Sequence, residues 1–151
     1  MPAPQATVRR PLLSPGISVT RPTVQLGFVR RHLTENEAVS ALRRGRAVEQ
    51  LLDEARHEGR LTLRWLSIIR REDAFVVLVH HVYDDGSPDF RDLSEFEPVD
   101  NEEDVGEGTE VAREPEPEKA LLAASSHGAV PERWVNEGVV ADEYAGSHGY
   151  N

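Results

Sequence analysis

The chain contains no cysteine, which removes disulfides, thiolate catalysis and cysteine-held zinc or iron–sulfur centres together. Lysine is almost absent too: sixteen of the seventeen basic residues are Arg, and Lys119 stands alone. A GC-rich coding genome explains this bias most simply; selection for the fork-shaped guanidinium is the sharper alternative. No apolar run approaches the roughly 18 residues of a membrane helix, and the Pro-rich, basic N-terminus lacks the apolar segment of a signal peptide. A soluble cytoplasmic protein with no membrane association is therefore expected. Phosphate-binding loops of the Walker A or GxGxxG kind are missing, and no serine sits in a GxSxG elbow. No cofactor is implied.

What remains is concentrated in Leu61 to Val99, which holds most of the β-branched and aromatic residues. Leu61, Leu63 and Trp65 alternate against Leu66 and Ile68, as in a strand. Phe75 to Tyr83 is apolar at both odd and even positions, the pattern of a strand covered on both faces. Arg70-Arg71-Glu72-Asp73 reads as the hairpin tip between them. Asp84-Asp85-Gly86-Ser87-Pro88-Asp89 is a second turn, after which Phe90 to Val99 is expected to return as a third strand. Its apolar residues (Phe90, Leu93, Phe96, Val99) recur every third position, so a bulge or an irregular stretch is needed there.

Before this stretch, Thr34-Glu35-Asn36-Glu37 is a capping box. Ala38, Ala41, Leu42, Val48, Leu51, Leu52 and Ala55 follow at helical spacing. One long helix, about Glu35 to Glu58, is the expectation, with Gly45 as a weak point and Gly59 just past its end. After it, Thr109 to Arg113 suits a short strand. Pro115, Pro117 and the Ala-Leu run that follows suit a shorter helix near Glu116 to Ser126. Pro131 to Val140, with Trp134, is expected to return to the core.

The predicted fold is α+β: a small antiparallel meander of three to five strands, with one long N-terminal and one short C-terminal helix on one sheet face. Residues 1–22, with five prolines, read as a disordered tail, and Thr23 to Arg31 as a possible edge strand. The domain is expected to span 23–144, with a mobile acidic loop near 100–108 and a second disordered tail at 145–151.

Charge is uneven. Up to Glu72 there are 13 arginines and 7 acids; from Asp73 onward, 4 basic and 20 acidic residues. The two halves are expected to pack together and partly neutralise one another.

Three functional readings follow. The first is a non-enzymatic protein-interaction or regulatory module, its partner another protein or a second copy of itself. Arg43, Arg44, Trp65 and Trp134 are its candidate contacts, because Trp and Arg dominate interface hot spots. Trp65 and Trp134 serve only if exposed, and each is more often a core residue. Strand addition at an open sheet edge is one mode available to such a module. The second reading is a small metal-dependent or acid/base enzyme using the His80/His81 region. It is weakened because neighbouring strand side chains point to opposite faces. Nucleic-acid binding through the Arg-rich half is third, opposed by the acidic remainder and a pI near 5.0. No metal ligand or catalytic residue is assigned.

Overall fold

The structure, a computed structural model, describes residues 32–150. The Pro-rich segment 1–22 and the expected edge strand at 23–31 lie outside them. The chain runs α1 (Glu35–Arg43), β1 (Val48–His57), β2 (Arg60–Arg71), β3 (Ala74–Tyr83), β4 (Thr109–Glu114), α2 (Pro117–Ser125), β5 (Val135–Asn136) and α3 (Val139–Ser147). One five-stranded antiparallel sheet, in the order β4–β3–β2–β1–β5, organises them. The fold is α+β with three α-helices among the described residues.

The capping box forms in full: Thr34 Oγ1 accepts from the Glu37 N–H at 3.1 Å, and the Glu37 carboxylate accepts from the Thr34 N–H at 2.8 Å. Ala38, Ala41 and Leu42 bury the inner face of α1. The helix ends at Arg43, and Gly45 then takes φ 83°, a conformation that glycine adopts without a Cβ penalty. The long helix of Glu35 to Glu58 is therefore replaced by a short helix and a ten-residue strand. The apolar residues of 48–55 mimic helical spacing because β1 carries a bulge between Leu51 and Glu54. Gly59 is a turn residue rather than a helix end. With Glu58 at φ 52° and Gly59 at φ 84°, it closes the two-residue β1–β2 hairpin.

β2 and β3 pair over their whole length, Arg71 opposite Ala74 and Thr62 opposite Tyr83. Both faces of this hairpin are covered. Leu66, Ile68, Phe75 and Val77 pack with α1 and α2 through Leu42, Ala120, Leu121 and Ala124, and with Trp134. On the other face, Leu63, Trp65 and Val82 pack with Leu93 and Phe96 and with Val140 and Tyr144 of α3. The two expected helices share a face, but the opposite side is covered too, by a third helix and the segment after β3.

That segment is not a third strand. It contains a 3-10 turn at Leu93–Glu95, capped by Asp92, and pairs with the β3 edge at the isolated Val82–Pro98 bridge. A three-residue turn explains the three-residue period: Leu93 and Phe96 both point into the core. The acidic stretch 100–108 forms turns, and Gly108 at φ 74° passes over the His80 ring. The C-terminal end also differs from the expected tail at 145–151. α3 continues to Ser147, Ala145 is buried and the Tyr150 hydroxyl donates to the Gly86 carbonyl at 3.3 Å. The halves do meet in ion pairs, Arg43 with Glu118 at 3.0 Å and Arg60 with Asp85 at 3.1 Å.

The strained hairpin residue gives a direct check. Replacing Glu58 by Asn, which tolerates a left-handed conformation, should raise stability by about 0.5 kcal/mol, whereas Glu58→Val should lower it by about 1–2 kcal/mol. Urea midpoints measure both. Equal midpoints for the two variants would contradict the turn.

Candidate functional site at the open edge of β1

The sequence-predicted contacts do not gather into one surface. Trp65 and Trp134 are 4% and 2% exposed and belong to the two cores, so neither indole can anchor a partner on this surface. Their large apolar area makes them the natural filling between sheet and helices. Arg43 is exposed but paired with Glu118, while Arg44 caps the end of α1.

His80 and His81 face opposite sides of the sheet, as strand alternation requires. His80 is 4% exposed. It stacks on Trp65 with ring centroids 3.7 Å apart, and its Nε2 lies 3.0 Å from Ser67 Oγ. Burial lowers its pKa to about 4, so the ring is neutral. His81 Nε2 lies 3.1 Å from Thr62 Oγ1, and its pKa is lowered by burial and then by Arg64. These histidines are structural partners of hydroxyls, set apart by the sheet between them.

The geometry instead draws attention to β1 and α3. Before the bulge, Glu49 and Leu51 stand opposite Ser67 and Trp65; after it, Glu54 stands opposite Leu63. One extra residue has switched the parity, so Glu54 shares the face of Glu49 rather than that of Gln50. That face carries α3. Its N-terminus is held by Glu49, whose carboxylate accepts from the Gly138 N–H at 2.9 Å. Its C-terminus is held by Asp84, just past β3. Asp84 Oδ1 accepts from the Tyr144 hydroxyl and from the Gly86 N–H at 3.2 Å. Asp84 Oδ2 lies 3.0 Å from His148 Nε2, and Glu54 Oε2 lies 3.2 Å from the same nitrogen. Burial, with the Asp84 carboxylate second, pushes the Tyr144 phenol well above its usual range. Gly86 is required here, since a methyl group at its Cα would overlap the Tyr144 hydroxyl.

Two cavities flank this part of β1. One, of about 370 Å³, lies on the α3 side and is walled by Leu51, Leu63, Glu54, Tyr144 and His148. The other, of about 280 Å³, lies towards Gln50, Arg64, Gly128 and Val130. Leu51, Leu52, Asp53 and Arg133 line both. Between them the strand edge is open: among the described residues, β5 pairs only with Val48 and Glu49. The Gln50 side chain then takes the place of a strand, its Oε1 accepting from the Val130 N–H at 2.7 Å and its Nε2 donating to the Val130 carbonyl at 3.0 Å. Beyond it the outer side of β1 has no ladder partner among the described residues.

Glu54, Asp84 and His148 were missed in the sequence because the chain separates them by 30 and 64 positions, and because the bulge has no residue signature. The Asp84-Gly86 turn was visible; its role as an acceptor for α3 was not. Searched against family models, curated proteins and solved structures, the chain matches none of them.

The buried carboxylate on β1 carries a pH signature. Burial first, then the charges of Glu137 and Asp92, raise the Glu49 pKa from 4.5 to about 7 against the opposing Gly138 hydrogen bond. A raised carboxyl pKa means that the folded state holds the extra proton. Stability from this group is therefore full below pH 4.5 and lost as pH rises towards 7. Glu49→Gln should gain on the wild type across that window, by on the order of 3 kcal/mol at pH 8. His80 acts in the opposite sense, its contribution being full above pH 6.5 and lost as pH falls through about 4. Denaturant melts of both proteins from pH 5 to 8 read the difference. A difference independent of pH would contradict the buried carboxyl.

Proposed function

We propose that the protein is a regulatory interaction module that receives an extended segment of a partner protein along the open edge of β1. The observation that carries this reading is an edge of β1 that has no ladder partner among the described residues, with a cavity on each of its faces. An added strand offers its main chain to the edge for hydrogen bonds, and its side chains alternate to the two sides. Successive apolar residues of such a segment would enter the two cavities, one over Leu51 and Leu63, the next over Leu52. Asp53, Arg56 and His57 place charge along the same edge, which discourages indiscriminate pairing while leaving a selective partner its place. Neither tryptophan is needed as an anchor in this mode.

Metal-dependent chemistry is the second reading, moved from His80 and His81 to Glu54, Asp84 and His148. The convergence of three ligand-type side chains, two of which (Glu54 and His148) line the larger cavity, favours it over the strand histidines.

Affinity capture from the source cells, with nuclease-treated lysate, tests the first reading. The partner should be retained by wild-type protein and lost, at least tenfold, with Leu52→Arg, which charges the floor of both cavities. Hydrogen exchange on the purified complex should then slow at amides 51–57. Protection confined to the Arg43 and Arg44 surface, or loss of all partners with nuclease, would overturn it.

A further inference from the structure

We infer that Glu54, Asp84 and His148 form a binding site for a divalent transition-metal ion of the zinc type, open on one side to the larger cavity. The inference is independent of edge docking and shares with it only one cavity wall.

Three side chains from distant parts of the chain meet here: Glu54 just after the β1 bulge, Asp84 just after β3 and His148 at the C-cap of α3. Their ligand atoms all lie within 4.8 Å of one another, with His148 Nε2 3.0 Å from Asp84 Oδ2 and 3.2 Å from Glu54 Oε2. An ion with bonds of roughly 2.0–2.1 Å holds tetrahedral ligands about 3.3–3.4 Å apart, so small side-chain shifts seat it.

The surrounding contacts orient each ligand. Asp84 Oδ1 is occupied by the Tyr144 hydroxyl and the Gly86 N–H, which leaves Oδ2 turned to the shared point. His148 Nδ1 lies 3.1 Å from the Tyr144 carbonyl and 3.0 Å from Ser147 Oγ. A carbonyl can only accept, so Nδ1 carries the proton. Nε2 is the ring nitrogen left as a ligand atom. It faces two carboxylate oxygens, and a divalent ion at the shared point joins the three and balances the two carboxylates. The Nδ1–H to carbonyl contact is the usual support of a metal-bound histidine. The imidazole favours transition ions over calcium and magnesium, which prefer all-oxygen sites.

The site is sheltered without being closed: the Asp84 side chain is 6% exposed, His148 19% and Glu54 52%. Glu54 and His148 both line the 370 Å³ cavity, so a fourth coordination position opens there to water or a ligand atom. An ion would also staple the β1 bulge, the end of β3 and the end of α3 at one point.

The test is titration of the full-length, chelator-treated protein with zinc chloride by calorimetry, with cobalt absorption as a second readout. One ion per chain should bind, the melting temperature should rise with zinc but not with calcium or magnesium, and the cobalt complex should show a low-symmetry d–d band. His148→Gln should weaken binding at least a hundredfold and Glu54→Gln at least tenfold. Glu54 touches only His148 in the cluster, so its variant leaves the Tyr144–Asp84 contact and the fold in place. His127→Gln, outside the cluster, should bind like the wild type. Leu52→Arg should keep the ion while losing the partner, which separates failure of this site from failure of edge docking. Absence of saturable zinc binding, or binding unchanged in both cluster variants, would overturn the inference.

Discussion

The β2–β3 hairpin is apolar on both faces, and the three α-helices and the segment after β3 are placed by the need to cover it. Each face removes several large side chains from water, at about 25 cal/mol per Å² of apolar surface, so neither can be left bare. α1 and α2 satisfy one face with small residues, Ala38, Ala41, Ala120 and Ala124, that bring the helices close to the sheet. The other face is covered by less regular means, the 3-10 turn with Leu93 and Phe96, and by α3. α3 is only nine residues long and lacks a side-chain cap. Such a helix is marginal alone, and it is held by carboxylates of the sheet layer, Glu49 at its start and Asp84 at its end. A carboxylate suits the positive N-terminal end; at the other end Asp84 accepts from the Tyr144 hydroxyl and lies 3.0 Å from His148 Nε2.

The bulge in β1 links this architecture to the proposed roles. By adding one residue it moves Glu54 to the α3 face, where it meets Asp84 and His148. It also bends the strand at the place where β5 has already stopped, so the edge, the two cavities and the three-ligand cluster occur together. An interaction module with a metal-held latch is one coherent outcome. The latch would fix the helix that forms one wall of the groove in which a partner segment lies.

Local rules made much of this fold legible. The Thr34–Glu37 box, the two strands with their charged tip, the proline-led α2 and the return of Trp134 to the core all follow from nearest-neighbour chemistry. Apolar spacing over 48–55 did not, because a bulged strand and a helix can produce the same sequence of apolar and polar residues. The turn at Glu58-Gly59 was hidden for a related reason: Gly suits a helix end and a hairpin equally well. Phe90 to Val99 carried its period of three openly, yet a 3-10 turn is too short to compete with a strand as a sequence-level expectation. The candidate site was illegible at the sequence level, since Glu54, Asp84 and His148 become neighbours only through tertiary packing. His80 and His81, adjacent in sequence, are separated by the sheet.

The parity switch at the bulge is the point on which both the site and the edge depend, and nuclear Overhauser contacts of the Glu54 side chain test it most directly. Cross-peaks from the Glu54 γ-protons to the Leu63 methyls and the His148 ring are predicted. Cross-peaks instead to Gln50, Val130 or Gly128, with none to His148, would place Glu54 on the opposite face and contradict the account.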